Sequence, residues 1–481
     1  MPWRLILATI RRNKVQQMRR QATHLQDLPK RILSEQLKNV KQLSSEACLF
    51  KVHERLRKPN PEAYTPLTIS IGPYHHGKPE LRKMERLKVL YTQSLLNRAG
   101  GVGVEECWKK LKDLEGKARS YYGDDILKVR GDEFVKMLLL DGCFIVEFVI
   151  RQSGLLMMQK RIFDPIFMQI QGMVCNILRD MLLLENQLPF FVLQAIYDMI
   201  SNPGNPEFSE MVKIAFRNKI PKMNIISLLN TQVNPQEIKH LLQIVHILCQ
   251  PQNNGQIHPQ QKTCSSNSSC CFWKQPQQII DDDEAALLCS IRTASELQEA
   301  GVRFKKVGKI SNTSSNQTIS LFDIKFNHGV LEIPSFALYH PTETFFRNLI
   351  AYEQHSPDVH PMYFTDYAKF MDDLINTEKD VNLLRLKDVF INGLGDDKEV
   401  TRLFNDLCKG VTYYSGDGFY YKDLCKELNL HCKKLRNVLM ARLRHDYFHT
   451  PWAGISTFAA ILLLSLTIAQ TVLAALDYLY K

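Results

Sequence analysis

Asp132 to Ile150 reads DEFVKMLLLDGCFIVEFVI, and this stretch decides the fold. Apolar residues fall on nearly every helical face, so it predicts a helix buried on all sides by other elements. Asp141 and Glu147 stand six residues apart, about 240° around a helix, and cannot form a paired-carboxylate site on one face. Such a helix needs neighbours, and helical patterns run from Leu81 to about Gln250. Arg179 to Met199, RDMLLLENQLPFFVLQAIYDM, predicts a second buried helix, with Pro189 breaking or kinking it near Leu188. Residues from about 25 to 58 also have helical character, with Leu33, Leu37, Val40 and Leu43 near 3.6 spacing.

The pattern changes elsewhere. Tyr64 to Glu80, YTPLTISIGPYHHGKPE, is punctuated by prolines and glycines and reads as extended. Residues 250–283 are rich in Gln, Asn, Ser and Pro, lack any apolar period, and predict a mobile loop or linker. Ala294 to Phe304 predicts a helix ending near Gly301. Residues 319–338 alternate like strands: Leu321, Ile324 and Phe326, an Asn327–His328–Gly329 turn, then Val330, Leu331 and Ile333, which predicts a hairpin. Helices resume from Glu343 to about Tyr447, and no repeat of solenoid period is present. The fold class is therefore mainly α: a large helical body with a small β-hairpin or sheet insertion and one C-terminal transmembrane helix. Its divisions are a basic N-terminal extension (1–44), the helical domain (45–447) and the span (452–476).

That span, Trp452 to Leu476, reads WAGISTFAAILLLSLTIAQTVLAAL without a charged side chain. At about 1.5 Å per residue it covers about 37 Å, more than the roughly 30 Å hydrocarbon core of a bilayer. Gln470 is its one strongly polar residue. It can hydrogen-bond to a second helix or carry a modest insertion penalty alone. Trp452 at one end, with Tyr478 and Tyr480 at the other, fits interfacial aromatic belts. Lys433, Lys434, Arg436, Arg442 and Arg444 precede the span, and only Asp477 and Lys481 among charged residues follow it, which puts the body in the cytosol. The apolar run Leu5 to Ile10 is too short for a secretory signal. The expected location is a plasma membrane or endomembrane, crossed once.

Composition narrows the class. The chain has 481 residues, 45% hydrophobic, enough to bury a core without disulfides. Its twelve cysteines show no CxxC and read as reduced thiols of a cytosolic body. Cys264, Cys270 and Cys271 cluster but lack a fourth ligand at zinc spacing, so no metal is expected. The net charge of +11 gathers before the span and at the N-terminus, where Arg4, Arg11, Arg12, Lys14, Arg19 and Arg20 precede Asp27. A transit peptide, a contact with anionic lipid and a solvated extension compete there, and the solvated extension is preferred. No RNP motif, zinc finger or basic reading helix is present, and no nucleic acid is expected.

His75 and His76 lie between Pro73 and Gly77; adjacent residues usually point apart, and no acid at useful spacing completes a site, so a turn that packs on the body is preferred over catalysis or metal. Glu185, Asn186 and Gln187 sit between apolar runs, where polar groups must be bonded, and are expected to satisfy backbone groups freed around Pro189. Arg347, Asn348 and Glu353 predict interhelix hydrogen bonds or an ion pair. No phosphate loop, GxGxxG, HExxH or GxSxG occurs, so no cofactor and no enzymatic activity are expected.

Several of these segments together resemble one family. They are Ile71–Gly72–Pro73–Tyr74–His75–His76–Gly77, then Met84–Glu85 and Lys88, Leu138 to Phe144 (LLLDGCF), and Leu182 to Leu193 (LLLENQLPFFVL). Ala294 to Phe304, Leu331 to Pro334, Phe346 to Glu353 (FRNLIAYE) and Pro451–Trp452–Ala453 continue the pattern. The chain from about residue 45 onward resembles the plant family catalogued as domain of unknown function 247. The resemblance implies a plant, mainly helical, membrane-anchored protein. Most members have no assigned activity, and some grass members are associated with self-incompatibility loci.

The expected role is protein–protein interaction at a membrane, in signalling or recognition, with a protein partner not identified by sequence. One alternative is a pollen-side recognition protein with its body outside the cell, for which Asn267, Asn312 and Asn316 supply glycosylation sequons. Another is a hydrolase or transferase using His75, His76 and Glu185; their close approach in a pocket would favour it.

Overall fold

The computed structural model describes residues 46–98, 100, 103–123, 129–154, 172–217, 231–251, 290–308, 319–413, 418–434 and 451–479. The chain divides into two units after Ala47, and the unit from Cys48 onward is the one described below.

Burial follows apolar periodicity. Helices α1 (Arg82–Arg98) and α2 (Val104–Ser120) pack on α3 (Asp132–Gly154), the expected central helix. After α4 (Met173–Asp180), helices α5 (Phe190–Ile200) and α6 (Phe208–Phe216) close the other sides of α3. Phe134, Phe144, Phe148 and Val149 of α3 are fully buried. Each such side chain contributes roughly 1.5–3 kcal/mol relative to exposure. Helix α7 (Leu241–Cys249) joins this half to α9 (His340–His355). Against α9 lie α10 (Tyr363–Leu374) and α12 (Asp397–Leu407), and α11 (Glu378–Leu386) packs on α12.

The β insertion lies between these halves in sequence. After α8 (Ala294–Glu299), strand β1 (Arg303–Val307) pairs in parallel with β3 (Val330–Pro334), and β2 (Lys325–Asn327) pairs with β3 antiparallel. The expected hairpin is present. Asn327 faces Val330, leaving His328 and Gly329 as a two-residue loop with φ of 49° and 78°. Positive φ at both positions matches the right-handed strand twist, which is why glycine sits at the second. β4 (Phe336–Leu338) pairs in parallel with β5 (Phe390–Asn392), a contact between distant segments with no local signal. Helix α13 (Lys422–Lys433) packs on β2. Finally α14 runs from Pro451 to Leu479.

Three expectations need correction. The predicted helix 179–199 is interrupted from Met181 to Pro189, a break far longer than a proline kink, because side chains of that stretch take over its backbone hydrogen bonds. The helix expected to end near Gly301 is present and ends at Glu299; Gly301, at φ +89°, turns the chain and Phe304 lies in β1. In the described part of 25–58, only Glu54–Arg57 is helical, since Val52 and its neighbours are held by side chains instead. The helical run from Glu343 is interrupted by β5. The loop 250–283, apart from its first two residues, and the basic extension 1–44 lie outside the described residues.

Candidate functional site

The extended segment Thr65–Lys78 has few hydrogen bonds of its own, so its buried polar groups need partners elsewhere. The Asp180 carboxylate, at the end of α4, accepts the backbone N–H groups of Leu67, Thr68 and Ile69 at 3.1, 2.6 and 3.0 Å. Asn186 works in both directions. Its Oδ1 accepts the Ile71 N–H at 2.7 Å, and its Nδ2 donates to the carbonyls of Ile69 and Asp180 at 3.0 and 2.9 Å. Asp141 Oδ2 accepts the Gly72 N–H at 2.9 Å.

Behind Asp141 stands Lys88, fully buried, with Nζ 2.6 Å from Asp141 Oδ1 and 2.6 Å from Glu85 Oε1. Burial pulls the Lys88 ammonium down, but Asp141 and Glu85 together lift it above the usual lysine value; burial lifts the Asp141 carboxyl, against the pull of Lys88 and the Gly72 N–H. Gly72 has φ +72°, and a Cβ there would lie 2.6 Å from the Gln187 carbonyl oxygen. Glycine is required on both counts. Gln187 donates to the carbonyls of Met181 and Leu183 at 2.6 and 2.9 Å, closing the interrupted turn from inside. Pro189 then precedes α5, where a missing N–H costs nothing.

Glu185 holds a second cluster. It accepts the Val52 N–H at 2.9 Å and pairs with Arg57 at 2.6 Å. His75 Nε2 lies 3.3 Å from Glu185 Oε2 without hydrogen-bond alignment, and its Nδ1 has no hydrogen bond among the described residues. Burial pushes the Glu185 carboxyl up, but His75, the Arg57 guanidinium and the Val52 N–H bring it below the usual glutamate value. His76 points elsewhere, with Nε2 3.3 Å from Glu133. Tyr74 OH donates to the Leu49 carbonyl at 2.9 Å. The motif therefore brings His75 to Glu185 and separates His76 from both.

The residues of α9 tie the halves together. Asn348 Oδ1 accepts the Leu184 N–H at 2.9 Å, and its Nδ2 donates to the Ala63 and Thr344 carbonyls at 2.8 Å each. Arg347 reaches Glu343 at 2.7 Å and the Asp406 carbonyl at 3.0 Å. Glu353 caps α10 by accepting the Phe364 and Thr365 N–H groups at 2.9 and 2.8 Å, and lies 2.8 Å from His246 Nε2. Glu147 is separate from Asp141 in its partners, bonding Ser94, Arg98 and Arg151 at 2.9, 3.0 and 2.7 Å. Asp180, His246 and Asp366 were not singled out from sequence; Asp180 alone had a signal, an acid directly before the apolar run Met181–Leu184.

This arrangement fits a chain matched along most of its length to one pattern. The family model described as a plant protein of unknown function matches residues 49–466. The chain belongs to that family, domain of unknown function 247. An Arabidopsis thaliana UPF0481 protein is 30% identical over 435 residues, covering 90% of this chain and 87% of that protein. A putative UPF0481 protein of Arabidopsis thaliana is 25% identical over 492 residues, covering 88% and 89%. No solved structure matches the chain. Gly72, Asp141, Glu185, Asn186 and Gln187, which lie inside the matched range, hold the Thr65–Lys78 and Met181–Pro189 segments.

Among the described residues no group of three His, Cys, Asp or Glu side chains could hold a metal ion. Cys48, Cys107, Cys143, Cys249, Cys425 and Cys432 are buried, while Cys175 is exposed. Cys264, Cys270, Cys271 and the sequons at Asn267, Asn312 and Asn316 lie outside the described residues. Ile455–Leu476 is a helix long and apolar enough to cross a membrane, and none of it is buried against the rest of the chain. Trp452 is 78% exposed; Tyr478 lies in α14, and Tyr480 is outside the described residues.

Proposed function

We propose that this protein is a single-pass, C-terminally anchored membrane protein whose cytosolic helical body serves as a protein-interaction module in signalling or recognition. The observation that carries this reading is the employment of the motif side chains. Asp141, Asp180, Glu185, Asn186, Gln187, Asn348 and Glu353 all bind backbone, and a side chain committed to buried backbone is poorly available for chemistry. What the motifs maintain is a fixed surface, and α14 supplies a means of holding that surface at a bilayer.

A competing reading is a hydrolase with His75 as base, favoured by its 3.3 Å approach to Glu185. Both residues are buried, and Glu185 already bonds Arg57 and Val52, which counts against substrate access. The self-incompatibility reading needs the body outside the cell. One experiment separates these sides of the membrane: glycosidase treatment of the full-length protein from plant cells, beside the Asn267/Asn312/Asn316→Gln variant. The cytosolic reading expects no mobility shift, with proximity labelling from the body recovering cytosolic proteins. A shift confined to the wild type would overturn it in favour of external recognition.

A further inference from the structure

α14 carries one side-chain amide. Gln470 lies in the span Ile455–Leu476, about 7 Å from its centre at 1.5 Å per residue, well inside a hydrocarbon core. The hydroxyls of Ser465, Thr467 and Thr471 donate to the carbonyls of Leu462, Leu463 and Thr467, each at 2.8 Å, so they need nothing further. The Gln470 carboxamide has two donors and an acceptor, and no hydrogen bond engages it among the described residues. In water that is unremarkable; in hydrocarbon an unpaired amide is costly.

Its position on the helix is specific. At 100° per residue, Ala460, Thr467, Gln470 and Ala474 lie within about 40° of Ser456; within Ile455–Leu476, Leu463 is the one bulky side chain in that sector, and Trp452 and Tyr478 share it beyond the ends of the span. Phe458, Ile461, Leu462, Val472 and Leu473 lie about 100° or more away. The small-residue side lets another backbone approach closely, and it is the side that carries the carboxamide.

We propose that α14 pairs in the bilayer with α14 of a second copy of this chain, through reciprocal hydrogen bonds between the two Gln470 carboxamides. This rests on the membrane-anchor reading. A second copy is the fitting occupant because a carboxamide is its own complement: N–H of each donates to the carbonyl oxygen of the other. Two chains inserted in the same direction also hold Gln470 at the same depth, and no other described helix of this chain is long and apolar enough to span beside it.

The test uses the full-length chain, labelled with donor or acceptor fluorophores and reconstituted in phosphatidylcholine vesicles washed with alkaline carbonate. The wild type should stay in the vesicles and show energy transfer. Gln470→Leu should stay inserted with self-association weakened roughly 5- to 25-fold. Gln470→Asn, which keeps the carboxamide, should retain most of it. Release of the wild type by carbonate would defeat the anchor reading and the pairing with it. Insertion without energy transfer, or Gln470→Leu pairing as tightly as the wild type, would overturn the pairing while leaving the anchor intact.

Discussion

Replacing Lys88 by Met removes one charge from a pair that is otherwise out of reach of water. Lys88 is 0% exposed and Asp141 1%, and their ends stand 2.6 Å apart. Glu85 loses the same partner but is 39% exposed on its side chain and can turn to solvent. Among the described residues, Asp141 keeps only the Gly72 N–H. Removing one member of a buried pair leaves an uncompensated charge, which costs about 3–5 kcal/mol. Adding Asp141→Asn removes that charge while its carbonyl can still accept the Gly72 N–H, so the double variant should be more stable than Lys88→Met alone, with a coupling of at least about 1 kcal/mol. The pH response follows from the same physics. Burial already lifts the Asp141 carboxyl and the loss of Lys88 lifts it further, so its folded-state affinity for protons exceeds the unfolded one by more, and Lys88→Met should lose further stability as pH rises from about 5 to 8. The double variant should lack that slope. Urea unfolding of the full-length protein in detergent, followed by circular dichroism, reads all three quantities. A Lys88→Met variant within about 0.5 kcal/mol of the wild type, or equal losses in single and double variants, would refute the reasoning.

Gly72→Ala should destabilise by at least about 2 kcal/mol in the same assay, since the left-handed backbone costs a Cβ about 1–2 kcal/mol and the Gln187 carbonyl at 2.6 Å adds to it; a neutral outcome would mean the segment shifts freely. Glu353→Ala leaves the Phe364 and Thr365 N–H groups without their acceptor and should cost about 2–4 kcal/mol, detected as a lower unfolding midpoint. Asp366 is pushed up to about 7 by burial and by nearby Glu353, against the Tyr420 N–H that stabilises its carboxylate. Its folded pKa therefore exceeds the unfolded value of about 3.9, so it contributes stability below that value which is lost as pH rises towards about 7, on the order of 4 kcal/mol in all. Asp366→Asn should flatten that part of the stability–pH curve, and an unchanged curve would contradict the assignment.

Legibility in the sequence followed the range of the interaction. α3 was readable because its apolar residues repeat within the helix itself, and the hairpin because His328–Gly329 imposes its own turn. The polar groups at 185–187 could be assigned to backbone because burial demands a partner, although which backbone they bond depended on contacts more than a hundred residues away, such as Asn186 to Ile71. The break from Met181 to Pro189 was underestimated for the same reason: its apolar spacing suits a helix, while Gln187 and Asn186 reward a different chain path. β1 with β3 and β4 with β5 pair segments that carry no local sign of each other. His75 beside Glu185, with His76 turned to Glu133, followed the general behaviour of adjacent residues, but the approach itself was not encoded in any spacing.

The most direct test of the membrane-anchored account is alkaline carbonate extraction of plant microsomes containing the full-length protein, beside a variant ending at Tyr447. The account predicts that the full chain stays in the pellet and the shortened chain moves to the supernatant, with the body of the full chain digested by protease added to cytosol-facing vesicles. A full chain released by carbonate, or one whose body resists protease until detergent is added, would contradict it.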